Sequence, residues 1–114
     1  MLEVIRLFKE IQNTSGLNDK KAIITANKDN ELFKKCLVFL LDGNVVTGIS
    51  DKKLAKEIEM TKHIEITCDF EYIMDYLKTN NSGRDSDISI VQGFIFAQPE
   101  EYREFYSQMV TKSF

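Results

Sequence analysis

Residues 29–43, Asp29-Asn30-Glu31-Leu32-Phe33-Lys34-Lys35-Cys36-Leu37-Val38-Phe39-Leu40-Leu41-Asp42-Gly43, decide the fold class. Leu32, Phe33, Cys36, Leu37, Leu40 and Leu41 recur at three-to-four spacing, which lines them along one stripe of a helix. Val38 and Phe39 widen the stripe, so this helix is expected to be buried on more than one side. Asp29 or Asn30 can cap its start, and Asp42-Gly43-Asn44 has the turn chemistry to end it. A free cysteine on such a face, Cys36, acts as a small hydrophobe.

Helical periodicity continues on both sides. Upstream, Val4, Ile5, Phe8 and Ile11 predict a helix from Leu2 to about Gln12, stopped by Asn13-Thr14-Ser15-Gly16. Asn18 can cap a second helix, Asp19 to Ala26, whose leading aspartate suits the helix dipole. Downstream, Ser50 opens a short helix through about Ile58, and residues 61–66 read as linker. Phe70, Ile73, Met74 and Leu77 mark a further helix capped by Thr67 or Asp69. Ile88, Val91, Phe94 and Ile95 mark the next, capped by Asp85 or Ser86. Pro99-Glu100-Glu101 starts a last helix with Tyr102, Phe105, Met109 and Val110 inward. No glycine, proline or cap precedes Phe114, so this helix is expected to run to the end, as in a fragment of a longer protein. The fold class is all-α: a compact bundle of about six or seven short-to-medium helices, residues 1–114 forming a single helical domain. The eight phenylalanines and four tyrosines fall mostly at core spacing, so packing is their first explanation.

Composition bounds the function. With 114 residues, 43% of them hydrophobic, the chain can enclose one core but has little room for a catalytic domain as well. Neither a signal peptide nor a membrane-length apolar run is present, which points to a soluble cytoplasmic protein without a membrane partner. Cys36 and Cys68 do not make a disulfide scaffold, and His63 has no ligand cluster beside it, so no metal site is expected. The net charge is −3, but residues 1–62 carry eleven Lys/Arg against nine Asp/Glu and residues 63–114 four against nine. Any anion-facing surface belongs mainly to the first half.

Catalytic chemistry is not legible. Leu41-Asp42-Gly43 superficially evokes the Lys-x-Asp-Gly motif of nucleotidyltransferases, yet Leu40 stands where the nucleophilic lysine would be. No phosphate loop and no Ser/His/Asp set is found, and Asp69, Glu71 and Asp75 read as dipole complements on a solvated face. No residue is assigned a catalytic role.

Two polar turns carry the binding signal. Thr47-Gly48-Ile49-Ser50-Asp51-Lys52-Lys53 has a glycine for close backbone approach, a capping serine and two lysines, as a phosphate-binding helix start needs. Asn81-Ser82-Gly83-Arg84-Asp85 is a second such turn. The candidate phosphate-facing residues are Gly48, Ser50, Lys52, Lys53, Gly83, Arg84 and Lys112. Each also has a plain structural reading. The lysine pair can be a solvated face, Gly83 can merely permit a turn, Arg84 can pair with Asp85 or Asp87, and Lys112 can complement a helix dipole.

The order of these segments resembles one known family. Asn27-Lys28-Asp29-Asn30-Glu31-Leu32-Phe33-Lys34-Lys35 resembles a stretch near the start of phage-type, T-even-phage-like ATP-dependent DNA ligases. The 47–53 turn, the Gly83-Arg84 turn followed by Ile88 and Phe94-Ile95, and Val110-Thr111-Lys112-Ser113-Phe114 resemble later segments of the same N-terminal domain, up to its approach to the nucleotidyltransferase domain. The resemblance implies an N-terminal domain that grips nicked double-stranded DNA through its backbone and minor groove during replication and repair. It implies too that the adenylating lysine and the ATP and Mg2+ sites lie in later domains of the same chain, with no cofactor in this one. Phosphate contacts suit that task because they position without reading bases. Four neutralised phosphates would give a salt dependence of roughly −3 to −4 in log affinity against log salt. The alternative function is a helical protein-interaction module of a phage or bacterial regulator, which the acidic second half favours.

Overall fold

In the computed structural model, which describes residues 1–113, the chain is all-α, with seven α-helices, one 3-10 helix and no strand among the described residues. These residues group into two compact units, 1–42 and 43–113.

The first unit holds α1 (Leu2–Gln12), α2 (Leu17–Ala26) and α3 (Glu31–Leu41). Val4, Ile5, Leu7 and Phe8 of α1 are buried, and the Phe8 ring meets Phe33 of α3 edge-on at 5.5 Å. Asn30 is the cap of α3: its side-chain oxygen accepts from the Phe33 N–H at 3.0 Å, a contact worth about 1 kcal/mol. Phe33, Cys36 and Phe39 are buried, but Val38 and Leu41 are 58% and 72% exposed, so the covered stripe is narrower than expected. α2 begins at Leu17 rather than Asp19, with Gly16 and not Asn18 in the cap position.

The second unit holds α4 (Asp51–Leu54), a 3-10 helix (Glu59–His63), α5 (Phe70–Thr79), α6 (Asp85–Phe96) and α7 (Glu100–Thr111). Asp69 caps α5 by accepting from Tyr72 N–H at 2.9 Å. The aromatic core forms where three helices meet. Phe70 of α5 stacks on Phe94 of α6 at 5.8 Å, and Tyr106 of α7 sits 5.0 Å from both rings. α6 is the central element, with Asp87, Ile88, Ser89, Val91, Gln92, Phe94 and Ile95 all buried. Its Gly93 lets residues 64–66 pass close, since a Cβ there would lie 2.7 Å from Ile66 Cγ1.

Two expectations are corrected here. α4 was expected to reach Ile58 but ends at Leu54, because the buried Gln92 amide takes the next carbonyls. Its Nε2 donates to Leu54 O at 2.9 Å and Lys56 O at 2.7 Å, and its Oε1 accepts from the Thr61 hydroxyl at 2.7 Å. A side chain that satisfies these carbonyls from outside removes the reason to continue the helix. Likewise α7 does not run to the end of the chain: Lys112 adopts the left-handed conformation at φ 54. Ser113 N–H then bonds Gln108 O at 3.0 Å and Lys112 N–H bonds Met109 O at 3.2 Å, the Schellman pattern with lysine where glycine is usual. Phe114 lies outside the described residues.

Candidate nucleic-acid interface

The two glycine turns meet. Gly48 and Gly83 both have positive φ, 72 and 66, which only glycine adopts without strain. A Cβ on Gly48 would stand 2.2 Å from Asn81 O, and one on Gly83 would stand 2.2 Å from Gly48 O. The two loops are therefore backbone to backbone, and neither can carry a side chain at the crossing. The glycines allow a close backbone approach, and the backbone that comes close at the crossing is that of the other turn.

Further bonds fix the crossing from three directions. Thr47, buried, donates its hydroxyl to Val110 O of α7 at 2.6 Å and accepts from Ile49 N–H at 3.3 Å. Ser50 caps α4, its Oγ accepting from Lys53 N–H at 3.2 Å. Lys56 pairs with Asp85 at 2.8 Å, joining the end of α4 to the start of α6. The N–H groups of Gly48, Ser50, Gly83 and Arg84 have no acceptor among the described residues, so donors remain on these loops.

The cations divide into two groups. Lys53 reaches over the crossing: its Nζ donates to Gly48 O at 3.2 Å and would lie 2.8 Å from a Cβ on Gly83, so it touches both turns while staying exposed. Lys52 is exposed on the same short helix, without a polar partner among the described residues. Arg84 follows Gly83 directly and is 65% exposed, its Nε 3.5 Å from Oδ2 of the fully buried Asp87. The structure thus brings Gly48, Ser50, Lys52, Lys53, Gly83 and Arg84 together. Lys112 stands apart from them in role, since it is half-buried and its Nζ donates back to Val45 O. Its cation serves the fold, tying the end of α7 to the segment that leads into the first turn.

Acidic groups temper the field. Asp51 and Asp85 are exposed at the starts of α4 and α6, and Lys56 is engaged with Asp85. Four cations, Lys52, Lys53, Lys56 and Arg84, stand against three carboxylates, Asp51, Asp85 and Asp87. A patch of such mixed charge acts on any ion through short-range contacts more than through long-range steering. α4 has only four residues, so its dipole adds little to the lysines it carries.

Two supporting residues escaped sequence reasoning. Tyr76 donates its hydroxyl to Asp87 Oδ1 at 2.6 Å, and burial, followed by that bond to the carboxylate, pushes its phenol up to about 12. It therefore remains a donor at every physiological pH. Gln92 holds the exit from α4 as described above, and a glutamine inside the apolar run Ile88–Phe96 was its only local signal.

A cleft of about 290 Å³ adjoins that exit, lined by Leu54, Ala55, Ile58, Thr61, Gln92 and Phe96 together with the charged Lys56, Glu57 and Lys62. Phe96 is 61% exposed at its edge. Among the described residues no group of three His, Cys, Asp or Glu is placed to hold a metal ion, and no helix is long and apolar enough to cross a membrane. No protein-family model, curated protein or solved structure matches the chain.

Proposed function

We propose that this chain is the N-terminal DNA-binding domain of an ATP-dependent DNA ligase, and that the crossing of its two glycine turns is a contact to the phosphate backbone of nicked duplex DNA. The observation that supports this is the back-to-back packing of Gly48 and Gly83, which gathers Lys52, Lys53 and Arg84 and several unpaired N–H groups onto one exposed surface. Two segments far apart in sequence, each suited to phosphate, contribute to a single patch. Nick sealing needs a grip that ignores base identity, and a rigid set of backbone amides and cations supplies one.

The patch is built for a small number of contacts. Taking Lys52, Lys53 and Arg84 as one phosphate each, log affinity should fall with log salt at a slope of about −2.7. Lys112 is left out, because its ammonium is turned to Val45 O. In this reading ATP and Mg2+ belong to the downstream nucleotidyltransferase domain, and Leu40 occupies the place a nucleophilic lysine would need. Incubation of the chain with labelled ATP and Mg2+ should give no covalent adenylate; a labelled protein would overturn that division of labour. A salt titration of binding to a nicked duplex tests the contact itself.

A second reading, docking of a protein partner, is favoured by the exposed Phe96 at the edge of the cleft beside Ile58. It is separated from the first by salt. Affinity carried by the apolar Phe96 edge would depend on salt far less than a phosphate contact and would be lost in Phe96→Ala, which leaves the glycine turns untouched.

A further inference from the structure

Arg84 is an exposed cation attached to a buried anion. Its side chain is 65% exposed while that of Asp87, one turn further along α6, is 0% exposed, and the two meet through Arg84 Nε and Asp87 Oδ2 at 3.5 Å. The other carboxylate oxygen accepts from Tyr76 of α5 at 2.6 Å. Tyr76 in turn stacks on Tyr72 with ring centroids 6.3 Å apart, which holds its ring on α5. A guanidinium has five N–H donors, of which one is on Nε. The remaining donors, on the two Nη atoms, have no partner among the described residues.

We propose that Asp87, steadied by Tyr76, is a positioning residue for Arg84: it holds the guanidinium by its Nε so that the paired Nη donors face outward as a ready clamp for one phosphate. A free arginine loses rotamer entropy when it is fixed on a ligand. A side chain already tethered at one nitrogen loses less, and its flat fork matches two phosphate oxygens. The tether also accounts for a carboxylate buried beside a surface that is to meet an anion. The first turn of α6 and the Tyr76 hydroxyl both favour the carboxylate at this position, and the tether gives it a use towards an anion that its charge alone would repel. This inference rests on the phosphate-contact reading above.

Two measurements on the whole 114-residue chain test it. The first needs no DNA. In the wild type, the Arg84 Nε–H proton should exchange with water about tenfold more slowly than that of exposed Arg6, as seen by nuclear magnetic resonance. Asp87→Asn should erase the difference, and Tyr76→Phe, which keeps every charge, should reduce it. Equal exchange at Arg84 and Arg6 in the wild type overturns the tether. The second measures affinity for a short nicked duplex. Deleting a negative charge beside phosphates should tighten binding on electrostatic grounds alone, whereas loss of positioning should weaken it about fivefold, the worth of one hydrogen bond. Asp87→Asn is expected to weaken it, and to have no further effect once Arg84→Ala has been made. Tighter binding, or an equal loss in both backgrounds, overturns the proposal. Should Asp87→Asn fail to fold, Tyr76→Phe carries the same comparison, with a smaller loss expected. If the wild type does not bind the duplex, the DNA reading fails and the clamp with it, but the slow Arg84 proton stays, so the two failures are told apart.

Discussion

Gly48→Ala is the perturbation that addresses the architecture of the site most directly. At φ 72 an alanine sits in the left-handed region, which costs about 1 kcal/mol. Its Cβ would also fall 2.2 Å from Asn81 O and 2.8 Å from Gly83 N, both backbone atoms that cannot swing aside as a side-chain end would. Relieving such overlap by separating the loops costs a further 1–3 kcal/mol, so the total is about 2–4 kcal/mol. With a urea dependence of about 1.5 kcal/mol per molar for a chain of this size, the unfolding midpoint should drop by roughly 1.3–2.7 M. Gly83→Ala should behave alike, because its Cβ would meet Gly48 O at the same 2.2 Å. The double variant should lose less than the two single losses added together, since the contact it disrupts is already broken. Urea titrations of the three variants check this. Single losses under about 0.5 kcal/mol, or full additivity, would refute the packing of one turn on the other.

Three further outcomes are expected. Gln92→Leu leaves the carbonyls of Leu54 and Lys56 without their buried donor and should cost about 2–3 kcal/mol in urea unfolding, with the 54–61 segment losing amide protection first. Tyr76, with its folded pKa raised from 10 to about 12, contributes stability that is whole below pH 10 and is lost as the pH rises towards 12. In a spectroscopic phenolate titration the late-ionising component should be reduced in Tyr76→Phe, and Asp87→Asn should move the Tyr76 component to lower pH. Lys112→Gly relieves left-handed backbone worth about 1 kcal/mol and loses a hydrogen bond of similar worth, so stability should stay nearly constant. Its duplex affinity should also be unchanged; a salt slope lower by about 1 would return Lys112 to the interface.

How far the sequence could be read depended on whether the relevant physics is local. The stripes of α1, α5 and α6 follow from residues one helical turn apart, and the side chains of Asn30, Ser50 and Asp69 act as caps as their positions suggest. The length of α4 was not legible because Gln92, distant in sequence, decides it. Nor was the end of α7, where lysine takes the left-handed position that glycine would have announced. Val38 and Leu41 lengthened the apolar stripe of α3 on paper but stay exposed, since hydrophobicity shows what can be buried and not what is. At the candidate site the residue types were recognisable one turn at a time. That Gly48 and Gly83 face each other is a pairing between separate loops, which no local pattern encodes. Arg84 and Asp87 were visible as a pair three residues apart, whereas Tyr76, which completes the set, lies on another helix.

The central claim is best tested by measuring affinity for a nicked duplex across a series of salt concentrations, for the wild type and for Lys53→Glu with Arg84→Glu. The wild-type slope should be about −2.7, and the charge-reversed protein, folded to the same helical content, should retain a slope of about −0.9, left by Lys52 alone. A wild-type affinity indifferent to salt, or a slope that survives both reversals, would contradict the claim that the crossed glycine turns hold the DNA backbone.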